Sequence, residues 1–478
     1  MDRRVQDELL TIVGPDGVVD GPVARLPYES DGLTLERQSP DLVLLPRDTD
    51  QTARCMRVLS RAGVPVVPRG AGTGLSGGAT PVEGGVTIGL ARMRDVLELD
   101  VANRFARVQA GVVNVELTRC CAHAGLFYAP DPSSQAACTI GGNVAEDSGG
   151  PHCFRYGSTT RHVLGLVIVT EDGEVIDLSD PLPDPAGYDL TGLFVGSEGM
   201  LGIATEVTVR LTPAPAVTET LLAVFGELDA CCDAVSDLIA ARLEPSAIEI
   251  LDKLTIEAVE ASVFAAGYPK DAEAVLLVEV EGGASEVTST VEEILPILEH
   301  RGTLEVRRAT DAAERARLWA GRKGAFGAMG RVAPDLYVAD VVTPRTRLRE
   351  IVRLATDLAR EKGLRLANVF HAGDGNLHPN IAYDRRDAEE VGRVLEAGRA
   401  IMEACLERGG SLTGEHGVGL EKRAMMERLF APTDLEVMAC VREALDPGRR
   451  MNPGKVLPLR GCREIHTRPP RAPVEAPA

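Results

Sequence analysis

Two short motifs gather residues able to do chemistry. In NVFHAGDGNLHPNI (Asn368–Ile381) the pair Asp374–Gly375 lies between apolar, strand-like runs, and Asp-Gly in that setting predicts a two-residue hairpin turn. With that turn His371 faces His378, and directly opposed side chains have Cβ atoms about 4.5–5.5 Å apart. Two imidazoles so placed are able to share one metal ion. GEHGVG (Gly414–Gly419) offers a third ligand, Glu415, beside His416, with glycine on both sides. Two His and one Glu with an open position form a catalytic zinc arrangement, which iron or manganese also accepts. An isolated cross-strand His pair more commonly stacks or hydrogen-bonds, so the residues alone leave both readings open.

A different chemistry is suggested by glycine. PRGAGTGLSGGA (Pro68–Ala79) follows the apolar run VPVV and contains GxGxxG at Gly72, Gly74 and Gly77. A Rossmann unit needs a helix opening at the third glycine. Here Gly78, Pro81, Gly84 and Gly85 follow at once, and no helix stands there. Such a loop still cradles phosphate through successive backbone N–H groups, with Arg69, Thr73 and Ser76 as further donors. A flexible turn in a β-rich region is the plainer alternative. Two more glycine-rich pieces, PDPSSQAACTIGGNVAEDSGG (Pro130–Gly150) and LFVGSEGMLGIATEVTV (Leu193–Val209), lie beside strands. Three such loops let one extended ligand, such as a dinucleotide, run close to backbone along its length.

The elements that must position these motifs fall into zones. At 478 residues two or three domains are expected. After an N-terminal segment (1–37) with a short amphipathic helix comes a zone (38–216) of strands such as Val64–Val67, Gly85–Leu90, Leu164–Thr170 and Thr205–Pro213. In the zone 217–395, helices over Glu227–Ala241, Ala284–His300 and Pro344–Lys362 alternate with strands over Ala274–Glu281 and Leu364–His371, which predicts an α+β sandwich. A helical segment (396–458) and a disordered proline-rich tail (459–478) follow. Lys+Arg total 51 against 71 Asp+Glu, a net charge of −20, which argues against nucleic acid or an anionic membrane as partner. Ten Cys include no CxxC pair, so neither a zinc cluster nor an iron–sulfur centre is expected. No apolar run approaches the length of a membrane helix and no signal peptide is apparent. A cytoplasmic protein is expected, peripheral to a membrane only through a partner.

RGAGTGLSGG, PDPSS, TIGGNVAEDSGG, GSEGMLGI, HAGDGNLH, GEHGVG and NPGK together resemble the FAD-binding vanillyl-alcohol oxidase and p-cresol methylhydroxylase superfamily. Within it they look most like the FAD-linked glycolate oxidase subunit and the related D-lactate and D-2-hydroxyglutarate dehydrogenases. The resemblance implies an α+β fold: an N-terminal FAD domain of the p-cresol methylhydroxylase type, a central antiparallel sheet with helices capping the flavin, and a helical C-terminal segment. It implies that Arg69, Gly70, Gly72, Thr73, Gly74, Ser76 and Gly77 hold the pyrophosphate, and that Pro130, Asp131, Ser133 and Ser134 lie on the flavin side. Gly141, Gly142, Asn143, Gly157, Glu198, Gly202 and Ile203 would line the rest. The first His of the chain is His123, so a histidyl tether at the glycine loop is impossible and FAD is non-covalent. In relatives the residues matching His371, His378 and Glu415 bind a divalent metal, zinc being favoured here, and the residue matching His416 acts as base.

By the same resemblance LWAGRKGAF (Leu318–Phe326) supplies the substrate-carboxylate cation, Arg322, with Lys323 and Arg331 as alternates. The 2-hydroxyglutarate enzymes carry a Lys just before a YVAD-like strand. Here LYVAD (Leu336–Asp340) lacks it, which argues against a second-carboxylate pocket. The implied activity is oxidation of a small D-2-hydroxy acid, glycolate or D-lactate, with electrons passed to a protein subunit or quinone. D-2-hydroxyglutarate oxidation, a flavin transferase like alkyl-dihydroxyacetone-phosphate synthase, and a non-catalytic FAD-binding subunit are the alternatives.

Overall fold

The computed structural model describes residues 1–179 and 187–458; the tail expected at 459–478 lies outside the described residues. Helix Arg3–Val13 starts on the Asp2 cap, whose carboxylate accepts from the Arg4 N–H. It buries Leu9 and Val13 against the helix Thr49–Arg61. That second helix covers a small sheet in which Leu42–Leu44, Val86–Gly89 and Val66–Arg69 run parallel, with Val18–Val19 on the edge. The N-terminal residues are thereby part of the first layer. From Gly70 to Gly85 the chain forms no helix, in keeping with its glycine content.

A five-stranded antiparallel sheet follows, in the order Val96–Asp100, Phe105–Gln109, Ile203–Arg210, Val163–Val169, Val175–Leu178. Between its strands TIGGNVAE unexpectedly makes a helix, Ile140–Glu146, opened by Thr139, whose hydroxyl accepts from the Gly142 N–H. Two glycines in a first turn oppose helix formation. The cap and the burial of Ile140 and Val144 outweigh that cost.

The third layer is a nine-stranded sheet. Its main path runs Glu305–Arg308, Val217–Phe225, Ala274–Gly282, Ala247–Asp252, Arg365–His371, Asn376–Leu377, Val341–Val342, and Pro379–Tyr383 pairs with both Arg365–His371 and Asp335–Val338. Both faces are covered, so strands such as AVLLVEVEG open as continuous apolar runs, here Ala274–Val278, before Glu279 and Glu281 interrupt the run. One face (Leu221, Ile250, Leu276, Phe370) packs on the helices Leu228–Ala240, Ala284–His300 and Leu348–Glu361. The other (Leu222, Leu251, Leu277, Val369) packs on Lys253–Glu260 and Ala312–Ala328. The expected helices and strands of this region all form, with ends shifted by a few residues at most.

The hairpin register differs from expectation. His371 pairs with Asn376 and Asn368 with Pro379, so the tip is the four-residue connection 372–375 and not a two-residue turn. Two bonds explain it, one within the tip and one from a neighbouring strand. The Asp374 carboxylate accepts from the Asn376 N–H at 3.1 Å. The Gly375 carbonyl accepts from Thr343 N–H at 3.0 Å, which draws the tip toward the neighbouring strand. The slip is two residues, and side chains alternate with a period of two. His371 and His378 therefore still share a face as diagonal neighbours, their rings edge to face with centroids 5.1 Å apart.

Candidate active site

On that face the apolar layer gives way to polar side chains. Strand alternation puts Glu249 in line with Ala247 and Leu251, and His371 in line with Ala367 and Val369. Glu249 and His371 are cross-strand partners. Glu249 is fully buried; its Oε1 meets His371 Nδ1 at 2.8 Å and its Oε2 accepts from Arg322 Nε at 2.6 Å. With Nδ1 committed, Nε2 of His371 faces Glu415 Oε1 at 3.1 Å, and Nε2 of His378 reaches the same oxygen at 3.0 Å. Two imidazole nitrogens converging on one half-buried carboxylate oxygen form the donor set that a divalent cation takes. Burial opposes a charge on Glu415, yet the two imidazoles hold its carboxyl well below the usual range.

Glu415 and His416 are delivered by a loop folded around Asp340. The Asp340 carboxylate is buried and accepts from the backbone N–H groups of Gly414 and His416, each at 3.0 Å, from the Thr413 hydroxyl, and from Lys422 Nζ at 3.1 Å. Its other oxygen lies 3.7 Å from His378 Nδ1. Each paired imidazole thus has a carboxylate behind it: Glu249 behind His371 and Asp340 behind His378. The His416 ring stacks on His378 with centroids 4.8 Å apart and planes 8° from parallel. Burial pushes the His416 imidazole down to about 4, against the pull of Asp340, so it is neutral at pH 7. Its Nδ1 is buried without a hydrogen bond, while Nε2 sits 3.9 Å from Glu415 Oε1.

A cavity of about 530 Å³ joins this cluster to the glycine loops. Gly70, Gly72, Thr73, Gly74, Ser133, Ser134, Gly142, Asn143 and Glu198 line it together with Arg322, His371, His378, Glu415 and His416. A smaller pocket behind it is lined by Arg69, Gly141, Gly202 and Ile203 and shares Gly70 and Gly142 with the first. Two observations suit a large polar ligand. Glu146 Oε2 is buried on the wall without a hydrogen-bond partner, and Asn143 Nδ2 has no neighbour to bond but the Cys138 thiol. A Cβ added at Gly74 would meet nothing closer than 3.7 Å, so the backbone there is open to close approach.

Five expected residues stand off these walls. Ser76 and Gly77 pack beneath the C-terminal loop, the Ser76 carbonyl accepting from Leu420 N–H at 2.8 Å and Gly77 facing the Leu420 side chain. The Pro130 carbonyl accepts from Asn114. Gly157 ends a short helix at φ 80°. Asp131 turns inward to His152 Nδ1 at 2.8 Å and Lys323 Nζ at 2.9 Å. Arg69, in the smaller pocket, spends its guanidinium on the carbonyls of Pro27 and Ser30.

Sequence reading overlooked Glu249, Asp340, Lys422, Glu146, His152 and the carboxylate that His152 bonds, Glu279. Glu249 and Glu279 carried a signal, each being an acid inside an apolar strand with side chains 0% and 5% exposed. Ionised groups so placed are almost always paired.

Residues 40–179 match the FAD binding domain family, and residues 214–456 match the C-terminal domain of FAD linked oxidases. The chain is 47% identical over 441 residues to the glycolate oxidase subunit GlcD of Escherichia coli (strain K12), covering 92% of this chain and 88% of that protein. It is 30% identical over 453 residues to a D-lactate dehydrogenase of Anaerostipes hadrus, covering 93% and 95%. Among solved structures, p-cresol methylhydroxylase with substrate bound superposes with a TM-score of 0.81 over 96% of this chain and 97% of that one, at 17% identity, a likeness of fold.

Proposed function

Since the chain belongs to the FAD-linked oxidases, we propose that it oxidises a small D-2-hydroxy monocarboxylic acid, glycolate or D-lactate, to the 2-oxo acid. The observation that carries this reading is the convergence of His371, His378, Glu415, His416 and Arg322 on the cavity that the glycine loops also line. FAD, when bound, supplies the acceptor for hydride from the substrate carbon, and a divalent metal at the His₂Glu set, zinc by its ligand types, lowers the pKa of the substrate hydroxyl.

The remaining work belongs to the chain. Arg322 carries the fixed charge for the substrate carboxylate. His416, neutral at pH 7, accepts the hydroxyl proton at Nε2, the ring nitrogen nearer Glu415. Val338 and Val369 line the cavity beside the paired imidazoles, and Phe264 and Phe326, both exposed to solvent on one side, add apolar surface to its wall. Among the described residues Arg322 and Lys323 are the cationic side chains lining the cavity, and Lys323 is held by Asp131. Glu249 takes only Nε of Arg322, whereas Asp131 takes Nζ of Lys323, so the lining offers cationic donors for one carboxylate and not for two. Electrons leave to a protein subunit or a quinone; the Escherichia coli relative is named a subunit. Among the described residues no helix is long and apolar enough to cross a membrane.

The deciding experiment is a substrate panel with an artificial acceptor: glycolate, D-lactate, L-lactate and D-2-hydroxyglutarate. Turnover of one of the first two well above the others is expected. Preference for the dicarboxylate, or turnover of none, refutes the proposal.

A further inference from the structure

Glu249 lies outside the cavity wall, yet it touches both halves of the chemistry proposed above. It is 0% exposed, it sits on the strand Ala247–Asp252, and its two oxygens are divided between two partners from different elements. One holds Nδ1 of His371, on the neighbouring strand, at 2.8 Å. The other holds Nε of Arg322, on the helix Ala312–Ala328, at 2.6 Å. The same guanidinium places NH2 3.4 Å from that His371 nitrogen, a packing contact and not a hydrogen bond when Nδ1 carries the proton shared with Glu249.

We propose that Glu249 is a positioning residue that fixes the metal-binding tautomer of His371 and the seat of the carboxylate-binding Arg322 at once, so that one buried carboxylate braces metal and substrate together. The inference rests on the metal and carboxylate roles proposed above. Its logic is donor counting. His371 offers Nε2 to a cation only when its proton is on Nδ1, and a carboxylate behind Nδ1 keeps it there. Arg322 presents a fixed fork only while its Nε–H has an acceptor, because an unpaired buried guanidinium N–H is costly. A carboxylate accepts on both oxygens, whereas a carboxamide accepts on one and donates from the other.

Two substitutions therefore separate. In Glu249→Gln the amide oxygen stays with the charged Arg322, the stronger partner. The amide N–H₂ then faces His371 and drives the ring proton onto Nε2. Zinc Kd is expected to rise about 10–100-fold. Pyruvate, which has the carboxylate but no oxidisable hydrogen, should keep its Kd within about threefold at saturating zinc. In Glu249→Ala both braces go, and zinc and pyruvate Kd should both rise by about tenfold or more. Zinc is read by equilibrium dialysis of the FAD-loaded protein, and pyruvate by the change in flavin absorbance. FAD content and Tm identify the folded variants, and the Gln variant decides alone if the Ala variant does not fold. Wild-type zinc affinity in folded Glu249→Gln, or wild-type pyruvate affinity in folded Glu249→Ala, overturns the inference and leaves the metal reading intact. A wild-type protein that binds no zinc instead removes the metal reading, and this inference with it.

Discussion

His416 is the side chain whose proposed role differs most from that of its neighbours. It stacks flat on His378, takes no part in the pair that converges on Glu415, and is held neutral by burial. A positioned base contributes about 10²–10⁴-fold, so His416→Asn should lose that much of the flavin reduction rate, measured anaerobically in one turnover, with FAD retained. High pH should recover part of it, since a substrate hydroxyl acidified by the proposed metal would then ionise without the base. Recovery of the full rate on adding excess metal would instead make His416 a support for Glu415. His378→Ala removes one of two imidazoles from Glu415 Oε1. It should abolish turnover and match the effect of a chelator on the wild type, with FAD bound in both. Normal turnover after chelation would reduce the His pair to a packing role.

The hairpin and the loop that meet at this cluster show what spacing reveals and what it hides. The common face of His371 and His378 was legible, because parity survives a two-residue slip. The register itself was not, because it is set by Thr343 and the Asp374 side chain, contacts beyond a local turn rule. Glycine spacing in GEHGVG marked the loop but gave no account of Asp340, seventy-four residues before Gly414 in the chain and bonded to its backbone. Gly417 shows how tightly the loop is seated. Its φ is +80°, and a Cβ there would lie 2.3 Å from Glu146 Oε2 and 2.8 Å from Glu198 Oε1. Glu198 in turn holds the next two N–H groups, of Val418 and Gly419, at 2.7 and 2.8 Å. Gly417→Ala should thus shift Glu415 and His416 and lower kcat by more than about tenfold, the scale of a 1 Å misplacement. Gly409 has nearly the same φ, +78°, with nothing within 4 Å. Gly409→Ala should cost only the left-handed backbone term, about 1–2 kcal/mol, with kcat unchanged. Equal loss of kcat in both would attribute the effect to backbone strain and not to the cradle.

Across the whole molecule, a buried charge network links the strand-rich N-terminal layers to the nine-stranded sheet. His152 bonds Asp131 at 2.8 Å through Nδ1 and Glu279 at 3.0 Å through Nε2. Lys323 shares the Asp131 oxygen, and Trp319 donates to Glu279 from the same helix that carries Arg322. The groups facing the imidazole are thus two carboxylates, with the Lys323 ammonium behind one of them. Glu281 is close enough to share a cation with Glu279 and His152 and bonds Tyr156. Burial works against charge on His152, but Asp131 and Glu279 outweigh it and raise the imidazole to about 10 from its ordinary 6.5. A group whose pKa is raised on folding stabilises fully below its unfolded value, and that contribution fades as pH rises through the folded one. His152→Gln should therefore be less stable than wild type by about 3 kcal/mol near pH 7, the scale for breaking a buried pair. The gap should narrow steadily between about pH 7 and pH 10. Trp319 is the one tryptophan of the chain, and its ring centroid lies 5.2 Å from that of His152. Urea unfolding followed by tryptophan fluorescence thus reads the link directly, and comparing wild type with variant at each pH cancels other titrations. A stability gap that stays constant from pH 7 to pH 11 would mean that the imidazole joins the two layers by packing and not by charge.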